Sequence, residues 1–137
     1  MQYDYQAIAG GETVEAAGMT AADQWTGNPA VFAEIRANIG FTYSTDDYSV
    51  NLTGRYQSEG EDITAKPETH DKIADAVFYT DIQGTYYVND TYTISAGVRN
   101  LFDVEAPYMS NYDDMNTINY SYDLAGQYLY LKATAKF

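Results

Sequence analysis

Cysteine is absent from this 137-residue chain, which excludes a disulfide framework and a thiolate metal site. Basic residues are scarce. Seven Lys and Arg stand against 20 Asp and Glu, a net charge of -13. That balance speaks against nucleic-acid binding, which needs a basic surface. There is one histidine, His70, inside the charged stretch "SEGEDITAKPETHDKIA". It is read as solvated. It leaves no His pair at metal-ligand spacing and no base beside a nucleophile, and no P-loop or nucleophile elbow is present, so neither an enzyme nor a cofactor site is expected. Long apolar runs of the kind that form a spanning helix are also missing. The opening "MQYDYQAIAG" has no basic and no apolar region of a signal peptide. These absences leave a membrane β-barrel open, because its strands alternate and never make a long apolar run. What is abundant is aromatic: 15 Tyr, 5 Phe and 1 Trp. Acidic disordered chains lack aromatics, so a folded domain is expected.

Alternation with period two recurs along the chain. The first run is Val31 to Ser44, with Val31, Ala33, Ile35, Ala37, Ile39, Phe41 and Tyr43 on one face. After the turn "TDD", the second run places Tyr48, Val50, Leu52, Gly54 and Tyr56 against Ser49, Asn51, Thr53, Arg55 and Gln57. A polar stretch read as a long loop follows. The third run, Asp75 to Val88, sets Phe78, Thr80, Ile82, Gly84, Tyr86 and Val88 against Asp81, Gln83, Thr85 and Tyr87. Asn89-Asp90 is a hairpin signal. The fourth run sets Tyr92, Ile94, Ala96 and Val98 against Thr91, Thr93, Ser95, Gly97 and Arg99. A second long loop covers about Val104 to Asn119. The fifth run sets Leu129, Leu131, Ala133, Ala135 and Phe137 against Tyr128, Tyr130, Lys132, Thr134 and Lys136.

The connections therefore alternate short and long, as in outer-membrane barrels. The runs exceed the five or six residues usual in soluble sheets and approach the ~9–11 that a tilted strand needs to cross a bilayer. Tyr43, Tyr48, Tyr86 and Tyr92 flank the short turns on the apolar face, the position of an aromatic girdle. Arg36, Arg55, Arg99, Lys132 and Lys136 all fall on the polar face, five of the seven basic residues. The expected fold is all-β, an antiparallel transmembrane β-barrel segment. Residues 1–30 are expected to hold a partial strand and an outer loop, and 31–137 the barrel strands. The competing reading is a soluble antiparallel sandwich, whose strands also alternate.

Two stretches, "GVRNLFDVEAPY" and "YDLAGQYLYLKATAKF", resemble the C-terminal end of TonB-dependent receptors, the outer-membrane uptake transporters of Gram-negative bacteria. The family's penultimate strand typically ends in Asn-Leu-Phe-Asp, matched by Asn100, Leu101, Phe102 and Asp103. Its last strand follows a Tyr-Asp and Gly-Arg approach and alternates to a terminal Phe. Tyr122, Asp123, Gly126, Leu129, Leu131, Ala133, Ala135 and Phe137 match. Gln127 stands where the family usually has Arg, and Ala106 where it often has Pro. The match is close from Ala96 to Phe137 and diffuse from Val31 to Val88. The resemblance implies a 22-stranded barrel around a plug, of which this chain would supply the last five strands and part of a sixth. It implies an outer-membrane location, lipid contact, and partners in the remaining barrel, the plug, the TonB complex acting through that plug, and the barrel-assembly machinery. That machinery would read Leu129, Leu131 and Phe137 as an assembly signal. It also implies import of a scarce nutrient such as a siderophore, cobalamin or an oligosaccharide; the substrate residues are not assigned.

Asn100 breaks the alternation, so Asn100 to Asp103 reads as the strand leaving the membrane, with Asn100 and Asp103 making turn-type backbone bonds. The loop "VEAPYMSNYDDMNTINYSYD" has Tyr, Asn and Asp groups suited to a ligand, but an ordinary polar loop is the stronger reading. Asp113 and Asp114 fall short of a calcium set. The tripeptides at Asn51, Asn89 and Asn119 match the glycosylation pattern only by chance expectation. Two other functions remain open: a small passive barrel or adhesion module, and a soluble β-sandwich binding domain.

Overall fold

Alternating β-branched and aromatic residues set in long runs between turn residues favour paired strands. The computed structural model describes residues 4–5, 14–15, 19–22, 29–62, 73–109, 116–117 and 121–136, with side chains for 33–61, 73–109, 116–117 and 121–136. Eleven strands lie among them: β1 Asp4–Tyr5, β2 Val14–Glu15, β3 Met19–Ala22, β4 Pro29–Phe32, β5 Arg36–Ser44, β6 Tyr48–Gln57, β7 Gly60–Asp62, β8 Ile73–Ala74, β9 Val77–Tyr87, β10 Tyr92–Arg99 and β11 Tyr128–Ala135. No helix occurs among the described residues. The protein is all-β, and its long strands form one antiparallel five-stranded sheet in the order β11-β10-β9-β6-β5.

The chain divides into two compact units. One comprises Ala37–Tyr56, Phe78–Glu105 and Asp123–Phe137 and holds that sheet. It is a meander, each strand beside the next long strand in sequence. Register is set at β10, where Ala96 stands opposite both Gly84 of β9 and Leu131 of β11, and Val98 opposite Ile82 and Leu129. Short turns close two hairpins. Thr45 N donates to Tyr48 O (2.8 Å), and Tyr48 N to Thr45 Oγ1 (3.1 Å). At the other turn Asn89 Oδ1 accepts from the N–H groups of Thr91 and Tyr92, at 2.9 and 2.8 Å, an Asx-type turn.

The second unit comprises Met1–Arg36, Gln57–Val77 and Ala106–Tyr122. It carries the pair β1-β2 and a four-stranded sheet, β4-β3-β7-β8, in which β3 and β7 run parallel. Ala74, Val77, Met109 and Tyr122 are buried in it. Thr117 Oγ1 donates to Pro107 O (2.7 Å) and Met109 N to Asn116 O (2.7 Å), so this part of the second long connection folds on itself. Gln57 and Ser121 exchange side-chain hydrogen bonds at 2.8 and 3.2 Å, and Arg36 also donates to Ser121 Oγ (3.0 Å).

Two boundaries differ from the sequence reading. The expected strand Val31 to Ser44 is two strands, β4 and β5, parted at Ala33–Ile35. There Ser58 N donates to Ile35 O (2.9 Å) and Ile35 N to Ser58 Oγ (3.2 Å). Those long-range bonds redirect a chain whose alternation continues unbroken. The stretch read as a featureless loop after Gln57 contains β7 and β8. Their partners lie far along the chain or across a gap, which local pattern does not report.

The five-stranded sheet is inverted relative to a water-soluble one. Its apolar face is open: Ile39 is 56% exposed, Phe41 64%, Leu129 67% and Leu131 76%, and Val50, Leu52, Tyr56, Phe78 and Ile94 are exposed beside them. Its polar face is the more covered in the middle of the sheet, with Asn51, Thr53, Arg55, Asp81, Thr85 and Ser95 all half-buried, while β5 and all of β11 but Tyr130 are exposed on both faces. Polar side chains there bond laterally across strands: Asn51 Nδ2 to Thr42 Oγ1 (2.8 Å), Ser49 to Tyr87 through their hydroxyls (3.3 Å), Thr85 to Ser95 (3.0 Å) and Tyr130 to Gln83 (2.9 Å).

Candidate functional site

The charged side chains of the polar face converge at one place. Arg55 on β6 and Asp81 on β9 are both polar-face positions of neighbouring strands. They meet in a two-pronged pair, Nε to Oδ2 at 2.8 Å and a terminal nitrogen to Oδ1 at 3.1 Å. The same terminal nitrogen donates to Asp123 Oδ2 at 2.6 Å. The guanidinium lies 4.9 Å from the centre of the Tyr79 ring, a cation–π distance. Asp123 N donates to the Tyr79 hydroxyl (3.3 Å), and Asn100 N donates to Asp81 Oδ1 (2.9 Å). The three charged side chains are only 20–29% exposed. Every oxygen of Asp81 is thus committed to a charge-assisted bond, and both prongs of Arg55 are occupied. The cluster ties β6, β9, the end of β10 and the approach to β11 together.

Asn100 to Asp103 forms a second knot beside it. Asn100 is fully buried and stands at φ 50°, a left-handed conformation that Asn tolerates. Its side chain closes a loop on itself: Nδ2 donates to Val104 O, and Val104 N donates to Oδ1, both at 2.9 Å. Asp103, at φ 52°, donates from its N–H to Asn100 O (2.9 Å). Its Oδ1 accepts from Gln127 N (2.7 Å). Gln127 Nε2 returns a bond to Leu101 O (2.8 Å), and Leu101 N reaches Thr80 O (2.7 Å). Gly126 holds φ 65°, and a Cβ there would stand 2.7 Å from Asp103 Oδ1. A side chain there would be strained and would have to push the Asp103 carboxylate aside. Phe102 points out, 71% exposed, and Leu101 is half-buried. The end of β10 is therefore buckled to the start of β11.

Tyr43, Tyr48, Tyr86 and Tyr92 are all exposed on the apolar face beside the short turns, and the Tyr43 and Tyr48 rings lie 6.2 Å apart. Leu129 and Leu131 are among the most exposed apolar side chains of the sheet. Phe137, His70, Asp113 and Asp114 lie outside the described residues. Among the described residues no group of three or more carboxylate or imidazole side chains is placed to hold a metal ion.

Sequence reading did not foresee the Arg55–Asp81–Asp123 cluster. Its signal was the shared polar parity of Arg55 and Asp81, but pairing them requires the β6–β9 register, across a connection of about twenty residues. Another unforeseen feature is Tyr130. It stands opposite Gly97, and its ring lies where a Gly97 side chain would be. An aromatic over a strand glycine covers the backbone that the glycine leaves bare.

Comparison with known protein families, with curated proteins and with solved structures finds no match to this chain.

Proposed function

We propose that this chain is part of the wall of an outer-membrane β-barrel, and that the barrel is a TonB-dependent transporter importing a scarce nutrient rather than an enzyme. The observation that carries the barrel reading is the inverted sheet. Leaving a large apolar side chain fully in water forgoes about 1.5–3 kcal/mol, and a part-exposed one a proportionate share, so a sheet with this many open on one face suits lipid and not water. The polar face suits a lumen, because its side chains are bonded to each other and its charges sit away from lipid. Among the described residues the outer edges of β5 and β11 have no partner strand. Open edges are not tolerated in hydrocarbon, so further strands complete the barrel.

The narrower reading rests on the stretch Asn100 to Gly126. The residues that carry the resemblance, Asn100, Asp103 and Gly126, are those that buckle the last two strands. A barrel wall needs its final strand held in register, and this arrangement supplies it. The wall's partners would be the rest of the barrel and its plug, the TonB complex through that plug, membrane lipid, and the assembly machinery.

The test is the native polypeptide. Cells carrying this sequence are fractionated, and the protein is sized on denaturing gels and mapped by peptides. An outer-membrane polypeptide several times longer than 137 residues, with plug peptides, supports the transporter. An outer-membrane polypeptide of only this length replaces it with a small passive or self-assembling barrel. Recovery in the soluble fraction removes both.

A further inference from the structure

Along β11 only Tyr130 is covered; every other residue of the strand is exposed. Burial therefore does not fix the register of this strand. Two arrangements do. Tyr130 stands opposite Gly97 of β10, which in turn stands opposite Gln83 of β9. The Tyr130 ring crosses the bare glycine, and its hydroxyl donates to Gln83 Oε1 (2.9 Å), so this side chain straps β11 to a strand two places away. At the loop end a clasp forms, where Asp103 Oδ1 holds Gln127 N and Leu101 O holds Gln127 Nε2. The strap is not peculiar to this register. Tyr128 lies two residues before Tyr130 on the same face, exposed, its ring 6.4 Å from that of Tyr130. A slip of two residues brings Tyr128 opposite Gly97 and gives it the same reach to Gln83. It keeps Leu129 and Leu131 on the apolar face and Lys132 and Thr134 on the polar one, because side chains alternate with period two. The number of strand pairs is also unchanged: Gly126 and Gln127 enter opposite Arg99 and Val98 as Thr134 and Ala135 leave.

We infer that β11 has a second register two residues along, and that the clasp between Asn100–Asp103 and Gly126–Gln127 is the device that selects the first. The slip carries each residue of β11 roughly 7 Å along β10, at about 3.4 Å per residue. Gln127 N then leaves Asp103, and Gly126 leaves its left-handed turn for an extended strand. Clasp and second register exclude each other. Asp123, four residues before Gln127, is held by Arg55 at 2.6 Å and backs the clasp from the side of the long connection. Strap, face pattern and pair number are alike in the two registers; the clasp is the difference. The choice matters at the outer edge of β11, which has no partner strand among the described residues. A slip of roughly 7 Å changes which backbone groups of that edge meet any strand added to it. The inference concerns the sheet itself and holds for a strand in lipid or in water.

The experiment uses the full-length native protein in cells, oxidised in place, with introduced cysteine pairs read by peptide mapping. These 137 residues supply no cysteine of their own to compete. Thr93 stands opposite Thr134 in the first register and, two residues along, opposite Lys132. Thr93→Cys/Thr134→Cys therefore reports the first register, and Thr93→Cys/Lys132→Cys the second. Each pair is directly opposite in its own register and diagonal in the other, where about 7–8 Å between Cα atoms exceeds ordinary disulfide reach. With the clasp intact the first pair is expected to close and the second to stay open. Asp103→Ala is expected to raise the second pair relative to the first by about fivefold, the bias that one hydrogen bond supplies. Gln127→Ala keeps the Asp103 bond, shifts the ratio less, and serves where Asp103→Ala does not accumulate. The tyrosines separate a slip from fraying. Adding Tyr128→Thr to Asp103→Ala abolishes the gain of the second pair, and adding Tyr130→Thr increases it. Tyr130→Thr with the clasp intact leaves the first pair closed. Loss of the first pair with no gain of the second in either clasp variant means that β11 detaches, and overturns the inference. So does a ratio that ignores both clasp variants, or a second pair that closes equally without Tyr128.

Discussion

Leu131→Arg separates a lipid-facing sheet from a water-facing one. Leu131 sits mid-way along β11, in a row with Ala96 and Gly84, and is 76% exposed. Four residues further on, Ala135 pairs with the girdle residue Tyr92, which places Leu131 roughly 13 Å from that end of an apolar band about 25 Å tall. Near mid-depth, Arg on the lipid face costs about 2–4 kcal/mol. Part of this is the lost leucine. Three-quarters of a side chain worth about 1.5–3 kcal/mol on full burial leaves roughly 1–2 kcal/mol for Leu131→Ala alone. In a soluble sheet the same exposed position would respond within about 0.5 kcal/mol in either direction. The assay is urea unfolding of the full native protein in lipid vesicles, followed by gel band-shift and fluorescence. Thr134→Arg, on the polar face of the same strand, is the control and is expected to stay within about 0.5 kcal/mol. The reasoning fails if Leu131→Arg is as mild as Thr134→Arg.

Gly126→Ala forces a side chain to φ 65° and into Asp103 Oδ1, and is expected to cost about 1–3 kcal/mol by the same urea titration. An unchanged midpoint would mean that the approach to β11 relaxes freely. Asp81→Ala leaves Arg55 with Asp123 only and strips Asn100 N of its acceptor, for a loss of about 1–3 kcal/mol. In a double-mutant cycle with Arg55→Ala the two losses should be coupled by at least about 0.5 kcal/mol, and simple additivity would show that the pair contributes nothing jointly. Gly97→Ala should destabilise because its methyl meets the Tyr130 ring, and Tyr130→Ala should remove most of that penalty. Equal cost in both backgrounds would place the strain elsewhere.

The five long strands, their faces and the short turns were legible in the amino-acid order, because strand periodicity is local. Val50, Leu52 and Tyr56 against Asn51, Thr53 and Arg55 declare two faces without any partner in view. Asn100 and Asp103 were legible as turn residues from their side-chain chemistry; that Gly126 stands at positive φ against Asp103 is seen only in the folded chain. Periodicity does not say which face is open, nor which strand lies beside which. That the apolar face is exposed and the polar face bonded is a property of the assembled sheet. The break at Ala33–Ile35 is decided by Ser58, and the β3–β7 pairing by residues some forty positions apart. The Arg55–Asp81–Asp123 cluster and the Tyr130–Gly97 contact likewise exist only once register is set. Interactions of range one to four are written in the order of residues. Those that close a loop of twenty or more depend on which of several alternative pairings satisfies the most backbone and side-chain groups at once, and only the folded chain decides that.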